Sequence, residues 1–176
     1  MISYRELNIN EINLELFDSF KRRQIVTKCW RRDKATGKWT IKDNPFIDDW
    51  NEDEYRELVR CLKKTVAEDG FVYGAFVNSR LKGFVAVKAL PIGSRLQYMD
   101  LASIHVSEDM RRNGIGRELF LAAKKFAEKN KKKLYISAHS AVESQEFYRA
   151  MGCVEAEEYN AEHVKEEPYD CQLECE

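Results

Sequence analysis

One segment constrains the chain more than any other: Ile104-His105-Val106, followed by Arg111-Arg112-Asn113-Gly114-Ile115-Gly116-Arg117. An apolar strand runs into a basic turn, and the turn opens a helix over residues 116–129 with Leu119, Phe120, Ala123, Phe126 and Ala127 facing inward. The first turn of a helix has unpaired backbone N–H groups and the positive end of the dipole. Glycine there lets backbone approach a phosphate closely. With Arg111, Arg112 and Arg117 alongside, the turn has the chemistry of a diphosphate cradle. It is not a nucleoside-triphosphate loop, because no G-x-x-x-x-G-K-[ST] occurs. Nor is it a dinucleotide fingerprint, whose third glycine would fall where Leu119 stands. Gly114 and Gly116 also suit a tight strand-to-helix turn with no ligand, so the turn alone leaves both readings open.

The elements around the turn follow from periodicity. Residues 4–8 alternate weakly and can open a sheet. Asn10 is expected to cap a helix running to Phe20, since Ile12, Leu16 and Phe20 fall at i, i+4 and i+8. Residues 25–30 and 38–42 read as two strands around the turn 33–37, a unit that Pro45 is expected to end. Residues 51–68 read as a helix with Tyr55, Leu58, Leu62 and Val66 on one face and Gly70 closing it. Residues 71–77 and 81–90 form an antiparallel hairpin, and 96–106 a third long strand. After the central helix come a strand at 134–138, a helix over 140–151 with Ser140 and Glu143 placed as a capping box, and strands at 153–157 and 168–173. The expected class is mixed α/β: antiparallel strands, then a β-α-β-α-β unit, then a closing strand.

Composition narrows the function. The 176 residues fit one domain, and a net charge of −1 argues against a general nucleic-acid binder. No stretch approaches the ~20 apolar residues of a membrane span. Residues 1–10 have no apolar segment of signal-peptide type, so a soluble cytoplasmic protein without a membrane partner is expected. The five cysteines include no C-x-x-C pair and read as reduced thiols. His105, His139 and His163 lie far apart in sequence, so no metal site is expected.

Arg111-x-x-Gly114-x-Gly116 after an apolar strand resembles the Q/R-x-x-G-x-G/A motif of the GCN5-related N-acetyltransferases (GNAT). Downstream, residues 144–153 (Ser-Gln-Glu-Phe-Tyr-Arg-Ala-Met-Gly-Cys) resemble that family's second signature, a helix carrying Phe-Tyr and ending in glycine before a strand. Cys153 stands where the family usually has Phe. The resemblance covers about residues 71–173.

It implies a mostly antiparallel mixed sheet, flanked by helices, with a central parallel strand pair that splays apart to admit acetyl-CoA as cosubstrate. It further implies one domain over 1–176, with 1–70 as the variable acceptor side and 71–173 as the acetyl-CoA core. Backbone of Ile104, His105 and Val106 would pair with the pantetheine arm. The N–H groups of Arg112, Asn113, Gly114, Ile115, Gly116 and Arg117 would hold the pyrophosphate beside Arg111. Ser144 lies where the family often places an asparagine that contacts the pantetheine arm. Tyr148 matches the family's general-acid tyrosine, or else packs as a core aromatic beside Phe147. Asp100, 11 residues before Arg111, sits where some members carry a catalytic glutamate; a solvent-facing aspartate is the equal alternative. If the strand is regular, Ser103 and His105 lie on the face opposite Asp100, with His105 structural or a proton relay.

The chemistry explains these roles. An attacking amine must be neutral, and a free alkyl amine has a pKa near ~10, so a base is useful; the leaving thiolate, from a thiol of about 8.5, is helped by a nearby phenol. On the acceptor side, Trp30, Trp39 and Trp50 either pack or stack on a substrate. The acidic runs 48–54 and 155–167 are either solvated faces or the lining of a mouth for a cationic amine. The preferred expectation is an enzyme acetylating a small-molecule amine. A protein N-acetyltransferase and a non-catalytic acyl-CoA module are the alternatives, and a homodimer stays open.

Overall fold

In the computed structural model, which describes residues 1–176, seven strands form one sheet in the order β1-β4-β5-β6-β7-β9-β8. The strands are β1 (Ile2–Glu6), β4 (Phe71–Val77), β5 (Arg80–Val87), β6 (Tyr98–Val106), β7 (Lys133–Ala138), β8 (Val154–Glu155) and β9 (Cys171–Cys175). Every neighbouring pair is antiparallel except β6–β7, which is parallel and joined through helix α2 (Ile115–Lys129). Two further strands, β2 (Gln24–Arg32) and β3 (Trp39–Asp48), form a separate antiparallel ribbon.

Each face of the sheet has its own core. Leu119, Phe120, Ala123 and Ala127 of α2 pack on Val85, Val87, Met99, Leu101 and Ile136, with Tyr148 of α3 (Val142–Ala150) in the same cluster. On the opposite face, Leu62 of α1 (Glu52–Ala67) joins Phe17, Phe20, Phe84 and Ala86. Helix α1 begins where its sequence dictates: Asn51 accepts from Glu54 N while the Glu54 carboxylate accepts from Asn51 N, a full capping box.

Several expectations are corrected. Residues 10–20 form only a 3₁₀ turn, Leu14–Phe17, capped by Asn13 rather than Asn10. Asn8 accepts from the N–H groups of Asn10 and Glu11, and Asn13 from Leu16, so local side-chain bonds outcompete a continuous helix. Pro45 does not end the ribbon. Val26 pairs with Phe46 and Lys28 with Asp43, leaving Asn44 and Pro45 opposite Thr27 alone. The proline therefore sits in a bulge, where no ladder donor is required. Ser140 does not cap α3: the cap position is Ala141, and the Ser140 hydroxyl instead accepts from Arg31 at 2.7 Å. The final strands are offset, β8 to two residues and β9 to 171–175, and a short helix α4 (Ala161–Glu166) appears within the acidic run.

All five cysteines are free thiols, four buried and Cys61 exposed on α1. No helix is long and apolar enough to cross a membrane.

Candidate active site

Strands β6 and β7 share only three rungs, Tyr98↔Lys133, Met99↔Leu134 and Asp100↔Tyr135. Beyond Asp100 the two strands part. Ile104, His105 and Val106 remain paired to β5 on one side, at Val85, Phe84 and Gly83, so their other edge faces the widening gap. Backbone groups left without a strand partner cost free energy unless something else satisfies them, and an extended ligand can do so.

A cleft of about 710 Å³ fills this gap on the α2–α3 side. Its walls are residues 104–106 of β6, Arg111, Arg112 and 114–117 of the turn, Ser144, Phe147 and Tyr148 of α3, and Arg22, Gln24 and Ile25 at the start of the ribbon. Two predicted residues stay outside. Asn113 turns its amide to the carbonyls of Met110 and Arg111. Asp100 sits at the apex of the V and is not part of the lining.

The turn leaves open space beside backbone donors and cations. Gly114 caps α2 in the left-handed region at φ 79°, and a Cβ added there would meet no protein atom within 4 Å. The space beside it belongs to the cleft, next to the free N–H groups that begin α2. Arg112 and Arg117 are exposed around it. Arg111 behaves otherwise: its guanidinium donates to Val106 O, Arg22 O and Arg23 O, at 3.2, 3.1 and 2.7 Å. Its head is therefore spent on tying the turn to the segment before β2.

Tyr148 is 8% exposed, against Phe120 and Phe147. Burial pushes its phenol well above the ordinary value, with Cys153 and Asp170 adding smaller charge effects and no hydrogen bond contributing. It stays protonated, as a proton donor must.

The β2–β3 ribbon and the segment leading into it bridge both arms of the V. On the β6 side, Lys21 N donates to Ser107 Oγ at 2.9 Å and Glu108 N to Lys21 O at 2.8 Å. On the β7 side, Trp30 N donates to Ser140 O at 2.8 Å. Phe46 packs on His139, and Trp50 meets His105 with ring centres 4.7 Å apart. Burial first, then Arg22 and Arg111, hold His105 well below its ordinary value, so its imidazole is neutral. Of the three tryptophans only Trp50 backs the V; Trp30 and Trp39 line a separate cavity of about 460 Å³ beside Arg149.

A one-residue bulge in β6 alters the predicted facing. Val87 pairs with Leu101 and Ala86 with Ser103, so Ala102 is extra. Asp100, Ser103 and His105 thus share the face away from α2, instead of Asp100 lying opposite the other two. Asp100 Oδ2 is 2.9 Å from Lys88 Nζ and 3.0 Å from Nε2 of His163 on α4. Its Oδ1 is buried without a partner. Against the cost of burial, the bonds to His163 and Lys88 lower the Asp100 carboxyl. His163 escaped sequence reasoning. The pattern Asn160-Ala-Glu-His could have announced the short helix, but no spacing ties residue 163 to residue 100.

Most of the acidic run is committed to neighbours. Asp48 pairs with Arg22 at 2.5 Å, Glu155 with Arg32 at 2.9 Å, and Glu158 accepts from Ser94. Glu167, and Asp170 just beyond the run, have no lysine or arginine partner: burial raises both carboxyls, Asp170 raises Glu167 further with His139 countering, and in Asp170 the bond from Ser137 Oγ at 3.0 Å, then His139, oppose the rise.

No curated protein sequence matches the chain. Solved structures do. A structure assigned as a streptothricin acetyltransferase of Bacillus anthracis, bound to acetyl coenzyme A, is 18% identical with a TM-score of 0.69, covering 99% of this chain and 97% of its own. A nourseothricin acetyltransferase is 17% identical with a TM-score of 0.66, covering 98% and 95%. The PaiA N-acetyltransferase of Thermoplasma acidophilum, bound to coenzyme A, is 14% identical with a TM-score of 0.60, covering 100% and 99%. At such identities the likeness is one of fold. The family model described as an acetyltransferase (GNAT) domain matches residues 46–173, from the ribbon through β9. With the splayed strands, the glycine turn and that match over most of its length, the chain belongs to the GNAT family of acetyl-CoA-dependent N-acetyltransferases.

Proposed function

We propose that this enzyme transfers the acetyl group of acetyl-CoA to a primary amine of a small cationic molecule, by direct attack while both substrates are bound. One observation carries the reading. A buried, protonated tyrosine lines a cleft between splayed strands, and the ribbon straps the same gap. A strap leaves room for a small molecule better than for a peptide chain, which favours a small amine over a protein substrate. The carboxylates of Glu167 and Asp170, neither of them paired with a lysine or arginine, suit a cationic acceptor.

In this reading the N–H groups that begin α2, with Arg112 and Arg117, hold the pyrophosphate. The free edge of residues 104–106 holds the pantetheine arm, and Ser144 faces it from α3. Acetyl-CoA supplies an activated acyl group on a thiol leaving group. Tyr148 gives the departing sulfur its proton. Asp100 is 3% exposed on its side chain and doubly paired, so it serves the reaction through a neighbour rather than by touching the amine. Residues 71–173 supply the acetyl-CoA core and residues 1–70 the acceptor wall, within one domain spanning 1–176. The donor suits a cytoplasmic enzyme, and no nucleic-acid or membrane partner is needed.

The test is thiol release from acetyl-CoA across a panel of mono-, di- and polyamines, with a peptide N-terminus and a lysine peptide as competitors. Saturable release with a small amine is expected. Release with peptides alone would favour the protein acetyltransferase. Tight acetyl-CoA binding with no release from any amine would favour a non-catalytic module.

A further inference from the structure

The base is the missing part of this reaction, and the apex of the V offers one. We propose that His163 on α4 is the proton acceptor for the incoming amine, held in place by Asp100 as its positioning partner; this rests on the acetyltransferase reading above.

The placement argues for it. Asp100↔Tyr135 is the last rung before the strands part, and His163 covers that rung on the face away from α2. Its imidazole stacks on Tyr135 at 5.7 Å and 22°, and its Nε2 lies 3.0 Å from Asp100 Oδ2. The helix beneath it is anchored. Asn160 accepts from the N–H groups of Glu162 and His163, and Asn160 N donates to the Tyr135 hydroxyl at 2.8 Å. The ring is therefore fixed at the apex by β6, β7 and its own helix cap. Tyr148 belongs to the opposite face, in the α2 core. An amine arriving from the ribbon side and a sulfur leaving on the α2 side need their base and acid on opposite sides of the gap, and this pair supplies that.

Exposure distinguishes His163 from the alternatives. The Asp100 side chain is 3% exposed and His163 23%, so of this pair only the imidazole reaches solvent. His105 lines the cleft, but its ring lies against Phe84, Trp50, Arg22 and Arg111, surroundings that oppose its gaining a proton. The groups facing His163 are Asp100 from β6, Lys88 after β5, Tyr135 from β7, Glu166 on α4 and Asp170 before β9. Asp100 is the strongest influence and raises the imidazole, burial and Lys88 oppose it, and Glu166 adds to the rise. The orphaned Oδ1 of Asp100 marks the same spot. That oxygen is buried and has no protein partner within hydrogen-bonding distance.

The protons balance as follows. The acceptor arrives as an ammonium ion and gives one proton to His163, freeing the nitrogen lone pair. The C–N bond forms as the C–S bond breaks, and Tyr148 protonates the sulfur. The second nitrogen proton restores the phenol through solvent, and His163 releases its proton to water. Ammonium and thioester become amide, thiol and one proton.

The experiment compares two nucleophiles: propane-1,3-diamine, which must lose a proton, and hydroxylamine, whose nitrogen is already neutral at pH 7. In His163→Gln, kcat/KM for the diamine should fall about 10²-fold or more. Turnover of hydroxylamine and affinity for acetyl-CoA should stay within a few-fold of wild type. In Asp100→Asn the acidic limb of the diamine pH profile should move to lower pH, because the carboxylate that favours the imidazolium is gone. Nuclear magnetic resonance titration of the wild-type imidazole gives an activity-independent readout: His163 should titrate above the ordinary ~6.5 and fall in Asp100→Asn. Wild-type diamine turnover in His163→Gln, equal loss of both nucleophiles, or titration at or below ~6.5 in the wild-type protein would each overturn the assignment. If wild type itself releases no thiol with either nucleophile while binding acetyl-CoA, the acetyltransferase reading falls first and takes this one with it.

Discussion

Gly114 and Gly152 offer a matched pair that isolates what the turn does. Both are left-handed, at φ 79° and 86°, and a Cβ at either would meet no protein atom within 4 Å. Only Gly114 borders the cleft. Alanine at either position therefore costs the left-handed penalty alone, about 1–2 kcal/mol. For a chain of this size that lowers Tm by roughly 2–8 °C. The ligand separates the two. Acetyl-CoA at 100 times its Kd stabilises wild type by about 2.7 kcal/mol. Gly152→Ala should keep that increment in full. In Gly114→Ala the methyl group projects where a phosphate would lie; a tenfold loss of affinity reduces the increment to about 1.4 kcal/mol at the same concentration, and a hundredfold loss to about 0.4. Gly114→Asp adds a like charge and should abolish it. The assay is thermal unfolding of the three proteins with and without acetyl-CoA, supported by calorimetric titration. Equal ligand-induced shifts in Gly114→Ala and Gly152→Ala would show that nothing binds against the turn, and the glycine would then be only a helix cap.

Other outcomes follow from the same geometry. Tyr148→Phe should lower kcat by ~10²- to 10⁴-fold with acetyl-CoA affinity unchanged, since the ring stays and only the donor is lost; wild-type turnover with chemistry rate-limiting would remove it from the mechanism. Arg111→Met strips three backbone carbonyls of a charged donor and should cost about 3 kcal/mol or more, lowering Tm by at least ~6 °C, while acetyl-CoA affinity of the folded fraction changes little. A large affinity loss without a stability loss would make Arg111 a phosphate ligand instead. His105 is depressed in the folded state, so below pH ~6.5 the unfolded chain binds a proton that the native one refuses, and stability falls as pH drops. His163 is raised and acts oppositely: its contribution is full below ~6.5 and fades as pH rises through its folded value. The difference between wild type and His105→Gln in urea unfolding between pH 7 and 5 isolates the first effect; identical pH slopes would contradict it.

Local chemistry made much of this protein legible in its sequence. The turn at 111–117 reads as a strand-to-helix anion site because glycine, cations and an apolar strand must coincide there, and the helices of residues 52–67 and 115–129 follow from caps and 3.6-residue periodicity. Tyr148 could be singled out because it lies within a contiguous motif. Pairings across the chain could not be read. Residues 10–20 carry a helical pattern, yet two asparagines bond locally and break it. Pro45 signals an end, yet a bulge makes its missing N–H harmless. The extra residue at Ala102 rotates Asp100 onto the face of Ser103 and His105, which alternation alone assigns the other way. The meeting of Asp100 with His163 depends on α4 folding back over the apex of the V, through contacts separated by 63 residues, and no periodicity encodes contacts of that range. Sequence determined which elements form and where a basic glycine turn opens a helix, because caps, turns and amphipathic faces are short-range; only the tertiary structure decided that Asp100 meets His163 at the apex while Tyr148 lines the cleft, because that depends on strand register and on a helix crossing the sheet.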